Sequence, residues 1–93
     1  MLNKDELIKG FCNGRLYRGK SSNLEITKNG DKTLLYNYET IIAVRDTNGT
    51  IFLNTIKYSR TTLRNQNLIK LYADNIVEVD KYASIWAIAT SLN

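Results

Sequence analysis

The segment from Lys57 to Lys70 holds the side chains best suited to specific contacts. It contains four cationic residues and no acid, and hydroxyl residues lie where a helix could begin. Lysine and arginine spaced along one helix can bind phosphates or an acidic protein patch. The segment supplies no evident bond-breaking group. We therefore interpret it as a contact surface.

The composition removes most catalytic chemistry. The chain has no histidine and a single cysteine, Cys12, so Ser-His and Cys-His catalysis and zinc sites of thiolates and imidazoles are excluded. The nine acids are scattered, without calcium-loop spacing. An enzymatic interpretation would pair Lys57, Tyr58 and Ser59 with Glu39, whereas a simpler one makes Ser59 a helix cap and leaves Lys57 in solvent. We predict a protein that is not an enzyme and has no cofactor or metal site.

Size and charge favour a small cytoplasmic protein. Ninety-three residues suit one domain, residues 1–93, and no apolar run reaches the roughly 20 residues that cross a bilayer. Acids at the start and a lone cysteine, Cys12, indicate a cytoplasmic chain without membrane segments. The region 15–70 has ten cations against four acids, whereas the tail from 71 has one cation against three acids. This distribution suits an anionic partner, although a net charge of +4 also serves solubility.

The local patterns predict an α+β fold with three helices and a small antiparallel sheet of about four strands. The first predicted helix is N-terminal, covers residues 2–11 and is ended by Asn13-Gly14. The second is a central helix after Ser59 that is basic and amphipathic, and the third is C-terminal. The predicted strands are 15–19, 24–28, 33–46 with a bend near 39–40, and 50–56; a short strand at 76–79 is a further option. Asn29-Gly30 and Asn48-Gly49 mark two hairpins.

The hairpins also predict which side chains lie opposite one another. A two-residue loop at Asn48-Gly49 would place Val44 opposite Leu53. The even positions Leu34, Tyr36, Ile42 and Val44 would then face the core.

At the other hairpin, a two-residue loop at Asn29-Gly30 would put Leu24 and Ile26 on the face of Leu35. We therefore predict a three-residue loop with a glycine bulge.

The central helix should pack on one side and expose the other. Ser59, Thr61 or Thr62 can cap its start. A period of 100° per residue groups the packing residues Leu68, Ile69 and Tyr72 with Thr61 and Asn65. Together with the cations and tyrosines that could reach a partner, the exposed side gives the candidate contact residues: Arg60, Arg64, Asn67, Lys70, Lys57, Tyr58, Arg15 and Arg18.

The C-terminal segment is apolar and has two interpretations. Asp80 can cap an amphipathic helix whose apolar residues are Tyr82, Ile85, Trp86, Ala89 and Leu92, or the run from Ile85 to Ala89 can form a buried strand. We expect Trp86 in the core. If Trp86 and Ile85 are exposed instead, the segment could form a homodimer seam.

Two stretches resemble a known family. Leu35-Tyr36-Asn37-Tyr38-Glu39-Thr40-Ile41-Ile42-Ala43-Val44-Arg45 and Leu53-Asn54-Thr55-Ile56-Lys57-Tyr58-Ser59-Arg60-Thr61-Thr62 resemble small uncharacterised proteins common in bacteriophages and mobile elements. Their pattern is Tyr-Ser-Tyr-x-Thr-Pro-Ile-Ala, a hairpin, then Lys-Tyr-Ser-x-Thr-Thr-x-x-His-Gln, and the match covers residues 34–68. Ile41 and Asn65 replace the proline and the histidine. Asn65 could instead bond to backbone or to Tyr58. The resemblance implies a phage-like origin and no established activity.

Two functions follow as hypotheses. The first is a non-enzymatic phage or mobile-element protein that occupies a surface of a host protein or nucleoprotein complex, for example an anti-CRISPR inhibitor of a defence system. The alternative is direct nucleic-acid binding, with cations on phosphates and exposed tyrosines stacked on unpaired bases. The residues that motivate the alternative are Arg15, Arg18, Lys20, Arg60, Arg64, Lys70, Tyr17, Tyr36, Tyr38 and Tyr58.

Overall fold

The computed structural model describes residues 2–91, which form three helices and six strands. The helices are α1 (Lys4–Cys12), α2 (Arg60–Tyr72) and α3 (Tyr82–Thr90). The strands are β1 (Gly19–Ser21), β2 (Leu24–Asn29), β3 (Lys32–Asn37), β4 (Thr40–Arg45), β5 (Ile51–Asn54) and β6 (Ile76–Val79). The predicted α+β class and the three helices are therefore confirmed.

The first helix shows how local signals set its bounds. The Asn3 side chain accepts a hydrogen bond from the Glu6 backbone N–H at 2.8 Å, and the Glu6 carboxylate accepts one from the Asn3 N–H at 3.1 Å. This capping box starts the helix at Lys4 rather than at residue 2. The helix ends at Cys12, just before the predicted stop at Asn13-Gly14. Gly14 has φ +76°, a left-handed conformation that glycine tolerates after a helix.

The sheet is larger than predicted and is mixed rather than antiparallel. Its six strands lie in sequence order, with antiparallel neighbours from β1 to β5 and a parallel pair of β5 and β6. Helix α2 joins β5 to β6, and a parallel pair needs such a crossover. The first strand begins at Gly19, not at residue 15.

The largest strand error concerns residues 33–46, which were predicted as one bent strand. They form β3 and β4, joined by a tight turn at Tyr38-Glu39. Tyr38 adopts φ +56°, a left-handed conformation that a bulky side chain rarely takes. Sequence rules reserve such turns for glycine or asparagine, so this hairpin gave no recognisable signal.

Both predicted hairpin registers are wrong. Asn29 pairs with Lys32, so the loop is the two residues Gly30-Asp31, and Ile26 lies opposite Leu35. The loop has two residues, but it lies one residue later than Asn29-Gly30, and Leu24 and Ile26 share the face of Leu35.

In the next hairpin, Ala43 rather than Val44 lies opposite Leu53. The Asp46 carboxylate accepts hydrogen bonds from the N–H groups of Asn48 and Thr50, at 2.9 and 3.0 Å, and holds a longer loop.

Helices cover both faces of the sheet, so no single set of alternating residues faces the core. Helices α1 and α2 share one cluster with Leu35, Ile42 and Leu53, whereas α3 lies on the other face with Leu34 and Val44. A bulge opposite Leu35 and Tyr36 breaks the alternation in β4. The predicted even-numbered core set is consequently divided between two cores.

The C-terminal segment is a helix, which excludes the strand interpretation. Lys81, not Asp80, is its N-cap residue, and within residues 2–91 no side chain caps it. Ile85 and Ala89 are buried, but Trp86 is 51% exposed rather than in the core. Leu92 lies outside the described residues. No helix within residues 2–91 is long and apolar enough to span a membrane.

Candidate contact surface on helix α2

The start of α2 is fixed by Ser59. Its backbone is extended, and its hydroxyl accepts a hydrogen bond from the Thr62 N–H at 3.2 Å. This is the N-cap arrangement predicted for one of three hydroxyl residues, and it satisfies one of the free amides of the first turn. At the other end, the Ala73 N–H donates to the Ile69 carbonyl and Lys70 lies in the last turn, where a cation is favourable.

The buried side of α2 is mostly polar. Ile69 is its one fully buried apolar residue, whereas Thr62, Asn65 and Gln66 are buried beside it. The Gln66 amide donates to the carbonyl of Asn54 at 2.7 Å and to that of Ile56 at 3.0 Å. Gln66 therefore joins the helix to the end of β5 through two hydrogen bonds.

A second group of bonds joins α2 to β3. The Asn37 amide donates to the Thr62 hydroxyl at 2.6 Å, and the Asn65 amide donates to the Asn37 side-chain oxygen at 3.2 Å. The Thr62 hydroxyl also shares a hydrogen bond with that of Ser59, at 3.1 Å. Asn65 thus donates to the side chain of Asn37. The predicted hydrogen bond of Asn65 to backbone or to Tyr58 is not among the hydrogen bonds of the described residues.

Asn54 completes what we call the α2 network, defined as Asn37, Asn54, Ser59, Thr62, Asn65 and Gln66. The Asn54 amide donates to the Ile41 carbonyl and to the Tyr58 hydroxyl, both at 3.0 Å, and its oxygen accepts from the Ile56 N–H at 2.9 Å. A buried polar group without a partner costs about 1–3 kcal/mol, so these bonds favour one orientation of α2. The opposite side of the helix is thereby aimed at solvent.

That outward side carries the predicted cations. Arg60, Arg64, Asn67 and Lys70 are all exposed. Across residues 2–91 the single ion pair joins Lys32 to Asp31, at 3.6 Å, so carboxylates of the described chain do not neutralise the cations of α2. The cationic side of the helix is available to a partner.

The family comparison covers most of this architecture. A family model described as a family of unknown function (DUF8033) matches residues 13–84. The chain belongs to the DUF8033 family. No curated protein and no solved structure matches the chain. The DUF8033 region contains the six strands of residues 2–91 and the whole α2 network, and its description names no activity.

Two residues of the outward side were missed by the sequence prediction. Leu63 is 49% exposed and Leu71 is 71% exposed, and both lie on the same side of this DUF8033 helix as Arg64 and Asn67. Positions 63, 67 and 71 are four residues apart and form one line along the helix. That spacing was visible in the sequence, but the prediction placed neither leucine on either side of the helix. The surface is therefore a cationic border around two exposed leucines.

The other predicted contact residues fall into two groups. Lys57 is exposed and Tyr58 is 45% exposed, at the end of the sheet where α2 begins. Arg15 and Arg18 lie in the loop between α1 and β1, and α1 packs against both β1 and α2. Neither arginine belongs to α2. We keep Arg15 and Arg18 as a separate cationic group of the DUF8033 domain.

The tyrosines are arranged for different roles. Tyr36 is half-buried, and burial, with Tyr82 and Glu25 nearby, raises its pKa. Tyr17 is covered by Lys28, whose Nζ lies 5.0 Å from the ring centroid. Tyr38 is 68% exposed beside Asn37, and so projects near the start of α2.

Cys12 offers little reactivity. It is buried at the end of α1, and loss of water around the thiol raises its pKa to about 12, although Arg45 acts in the opposite direction. The reactive thiolate is therefore scarce near neutral pH. Within residues 2–91 no three cysteine or acidic side chains come together as a metal-binding group.

Proposed function

We propose that this chain is a non-enzymatic binding protein that acts by occupying a surface of a host macromolecular complex. The observation that carries the proposal is the outward side of α2, where Arg60, Arg64 and Lys70 are exposed and lie outside the one ion pair of residues 2–91. Blocking a surface requires shape and charge complementarity rather than catalytic groups. The α2 network supports the role by presenting these side chains in one orientation.

The leucines on α2 favour a protein surface as the contact. Phosphates and bases offer little to Leu63 and Leu71, whereas an apolar patch on a protein would remove both from water. Arginine is enriched in protein interfaces, and apolar residues ringed by cations fit a partner patch that is apolar at its centre and acidic at its rim. We therefore assign the contact to an acidic region of a protein or nucleoprotein complex.

The biological setting is a proposal that rests on the sequence resemblance over residues 34–68. It points to a protein of a phage or mobile element that acts in the host cytoplasm. An inhibitor of a nucleic-acid-guided defence system, such as an anti-CRISPR protein, is the concrete case.

A pull-down from host lysate tests the proposal. The tagged chain would be compared with Arg60→Ala/Arg64→Ala, with Leu63→Ser/Leu71→Ser, and with the charge-matched control Lys20→Ala/Lys81→Ala, whose residues are exposed and lie outside α2. The lysate would be treated with nuclease, so that proteins held only through a shared nucleic acid are no longer recovered. We expect one complex to be retained by the parent chain and the control, and to be lost from both α2 variants.

Retention that is the same in all four proteins would contradict the role of α2. Repeated recovery of no complex, from several candidate hosts, would contradict the binding proposal itself.

Direct nucleic-acid binding is the second candidate, favoured by Tyr38 and Tyr58. Both rings are at least 45% exposed at the end of α2 that carries Arg60. Rings beside cations form the usual platform for unpaired bases. Binding to mixed single-stranded oligonucleotides should then weaken steeply between 50 and roughly 200 mM salt and fall in Tyr38→Ala and Arg60→Ala/Arg64→Ala. Absence of binding at both salt concentrations would remove this candidate.

A further inference from the structure

The outward face of α3 carries no charge. Ala83, Trp86, Ala87 and Thr90 are exposed, are spaced three, four and seven residues from the first, and so lie on one face, and exposed Ser84 lies beside them. The sequence 82–91 contains no charged side chain at all. A helix that faces water on one side normally carries charged residues there. This face therefore has the composition of a helix that is covered on both sides.

Helix α3 also lacks the features that stabilise a solvated helix. It has nine residues, no acid in its first turn and no base in its last turn, and Lys81 provides no side-chain cap within the described chain. Ile85 and Ala89 are its buried residues. Isolated helices of this length are marginal in water, so α3 depends on packing. A second layer over Trp86 would stabilise it further.

We propose that a second copy of this chain covers α3, in a two-fold dimer in which Trp86 of each copy packs on Ala83 and Ala87 of the other. The chain has a net charge of +4, and its α2 side is cationic, so two copies repel one another over most approaches. Among the helices of residues 2–91, α3 alone has no charged side chain, so two copies can meet on its exposed face without like charges. Alanines beside a tryptophan make this face self-complementary, as a two-fold interface requires.

The available area sets the expected strength. A standard interface buries about 800 Å² per partner, which is roughly one seventh of this chain's 5698 Å² surface. Helix α3 is about 13 Å long and offers less than that alone. The cleft beside it extends the surface and is of mixed character, because it is lined by Phe52, Thr47, Ile88 and Ser91 and also by the charged residues Asp31, Lys32 and Asp46. We therefore expect a weak dimer, with a dissociation constant on the order of 10 µM.

The dimer has a consequence for the proposed function. Because α2 and α3 lie on opposite faces of the sheet, a dimer through α3 directs two α2 surfaces outward. Two linked contacts on a repeated or paired target bind more tightly than one. This consequence rests on the proposed function, whereas the dimer itself does not.

Sedimentation equilibrium on the full chain tests the dimer directly. From about 1 to 300 µM, a range that brackets the expected constant, the mass should rise from 10.7 kDa toward twice that value. Ala87→Glu places a carboxylate at the centre of the face in both copies and should weaken association at least tenfold. Thr61→Glu adds the same charge at an exposed position on the opposite side, and should leave association unchanged. A monomer at every concentration, or equal association of Ala87→Glu and the parent chain, would overturn the proposal.

A second measurement needs no variant and so survives a folding defect in Ala87→Glu. Trp86 is the chain's only tryptophan, so its fluorescence reports on the α3 face alone. We expect acrylamide quenching to fall about twofold across the same concentration range, in step with the rise in mass. A mass that doubles while quenching stays constant would show a dimer through another face and would overturn the assignment to α3.

Discussion

Helices α2 and α3 lie on opposite faces of one sheet. They differ in the contacts of the side that faces the sheet and in the charge of the side that faces solvent. Both helices pack apolar residues on the sheet, Ile69 in α2 and Ile85 with Ala89 in α3. Helix α2 adds buried hydrogen bonds from Asn65 and Gln66 and presents cations to solvent, whereas α3 has part-buried hydrogen bonds only and presents no charge. Hydrogen bonds are directional, and apolar contacts are not. A polar attachment therefore suits a helix whose exposed side must point in one direction, and an apolar attachment suits a helix that is itself to be covered.

The largest expected effect comes from the apolar attachment. Ile85→Ala removes the main buried side chain of α3 and leaves a cavity against Leu34 and Val44, at a cost of about 3 kcal/mol in the free energy of unfolding. Urea denaturation followed by circular dichroism measures it. Ile88→Ala is the matched control, because Ile88 is only partly buried, and should cost about 1 kcal/mol. A loss below 1 kcal/mol for Ile85→Ala would mean that α3 is held by something else.

The polar attachment should give a smaller loss. Gln66→Leu keeps the size of the side chain but leaves the carbonyls of Asn54 and Ile56 without their donor, at a cost of about 2 kcal/mol. Asn67→Leu makes a similar amide-to-alkyl change on the exposed side and should shift stability by less than about 0.5 kcal/mol. If the two variants are equally stable in urea, the α2 network does not hold the helix.

The two attachments also explain what the sequence could predict. The helix bounds near Asn13 and Ser59 and the exposure of Arg60 and Arg64 follow from signals within a few residues. The α2 network does not, because Asn65 lies 28 residues from its partner Asn37, and such pairs leave no local pattern.

Two further errors have physical causes of the same kind. Tyr38 occupies a left-handed turn without glycine, which hid the hairpin that raises the strand count. The period of α3 was recognised, but in a helix whose two sides are both uncharged, periodicity cannot say whether Trp86 faces the sheet or lies exposed. The cationic side of α2 was predictable because charge alone keeps a side chain in water.

The buried thiol of Cys12, in the core shared by α1 and α2, predicts a loss of stability at alkaline pH. Burial raises the pKa of Cys12 from 9.0 to about 12, so above pH 9 the unfolded thiol loses its proton while the folded thiol keeps it. The unfolded state then binds fewer protons, and stability falls as pH rises. Between pH 8 and pH 10 the parent chain should lose about 1 kcal/mol more than Cys12→Ala.

Parallel urea titrations of the two proteins at both pH values give this difference. Tyr72, whose pKa is raised mainly by its hydrogen bond to Asp5, ionises in both proteins and cancels. Identical pH dependence of the two proteins would place Cys12 in contact with water.

The smallest expected effect separates binding from folding on α2. Arg60 and Arg64 are exposed and lie outside the one ion pair of residues 2–91, so Arg60→Ala/Arg64→Ala removes no bond that holds the fold. The free energy of unfolding should change by less than about 0.5 kcal/mol per site, and alanine's higher helix propensity offsets part of any loss. Urea denaturation of the variant checks this. A loss above 2 kcal/mol would assign the arginines to the fold, and any binding defect of the variant would then report unfolding instead of a lost contact.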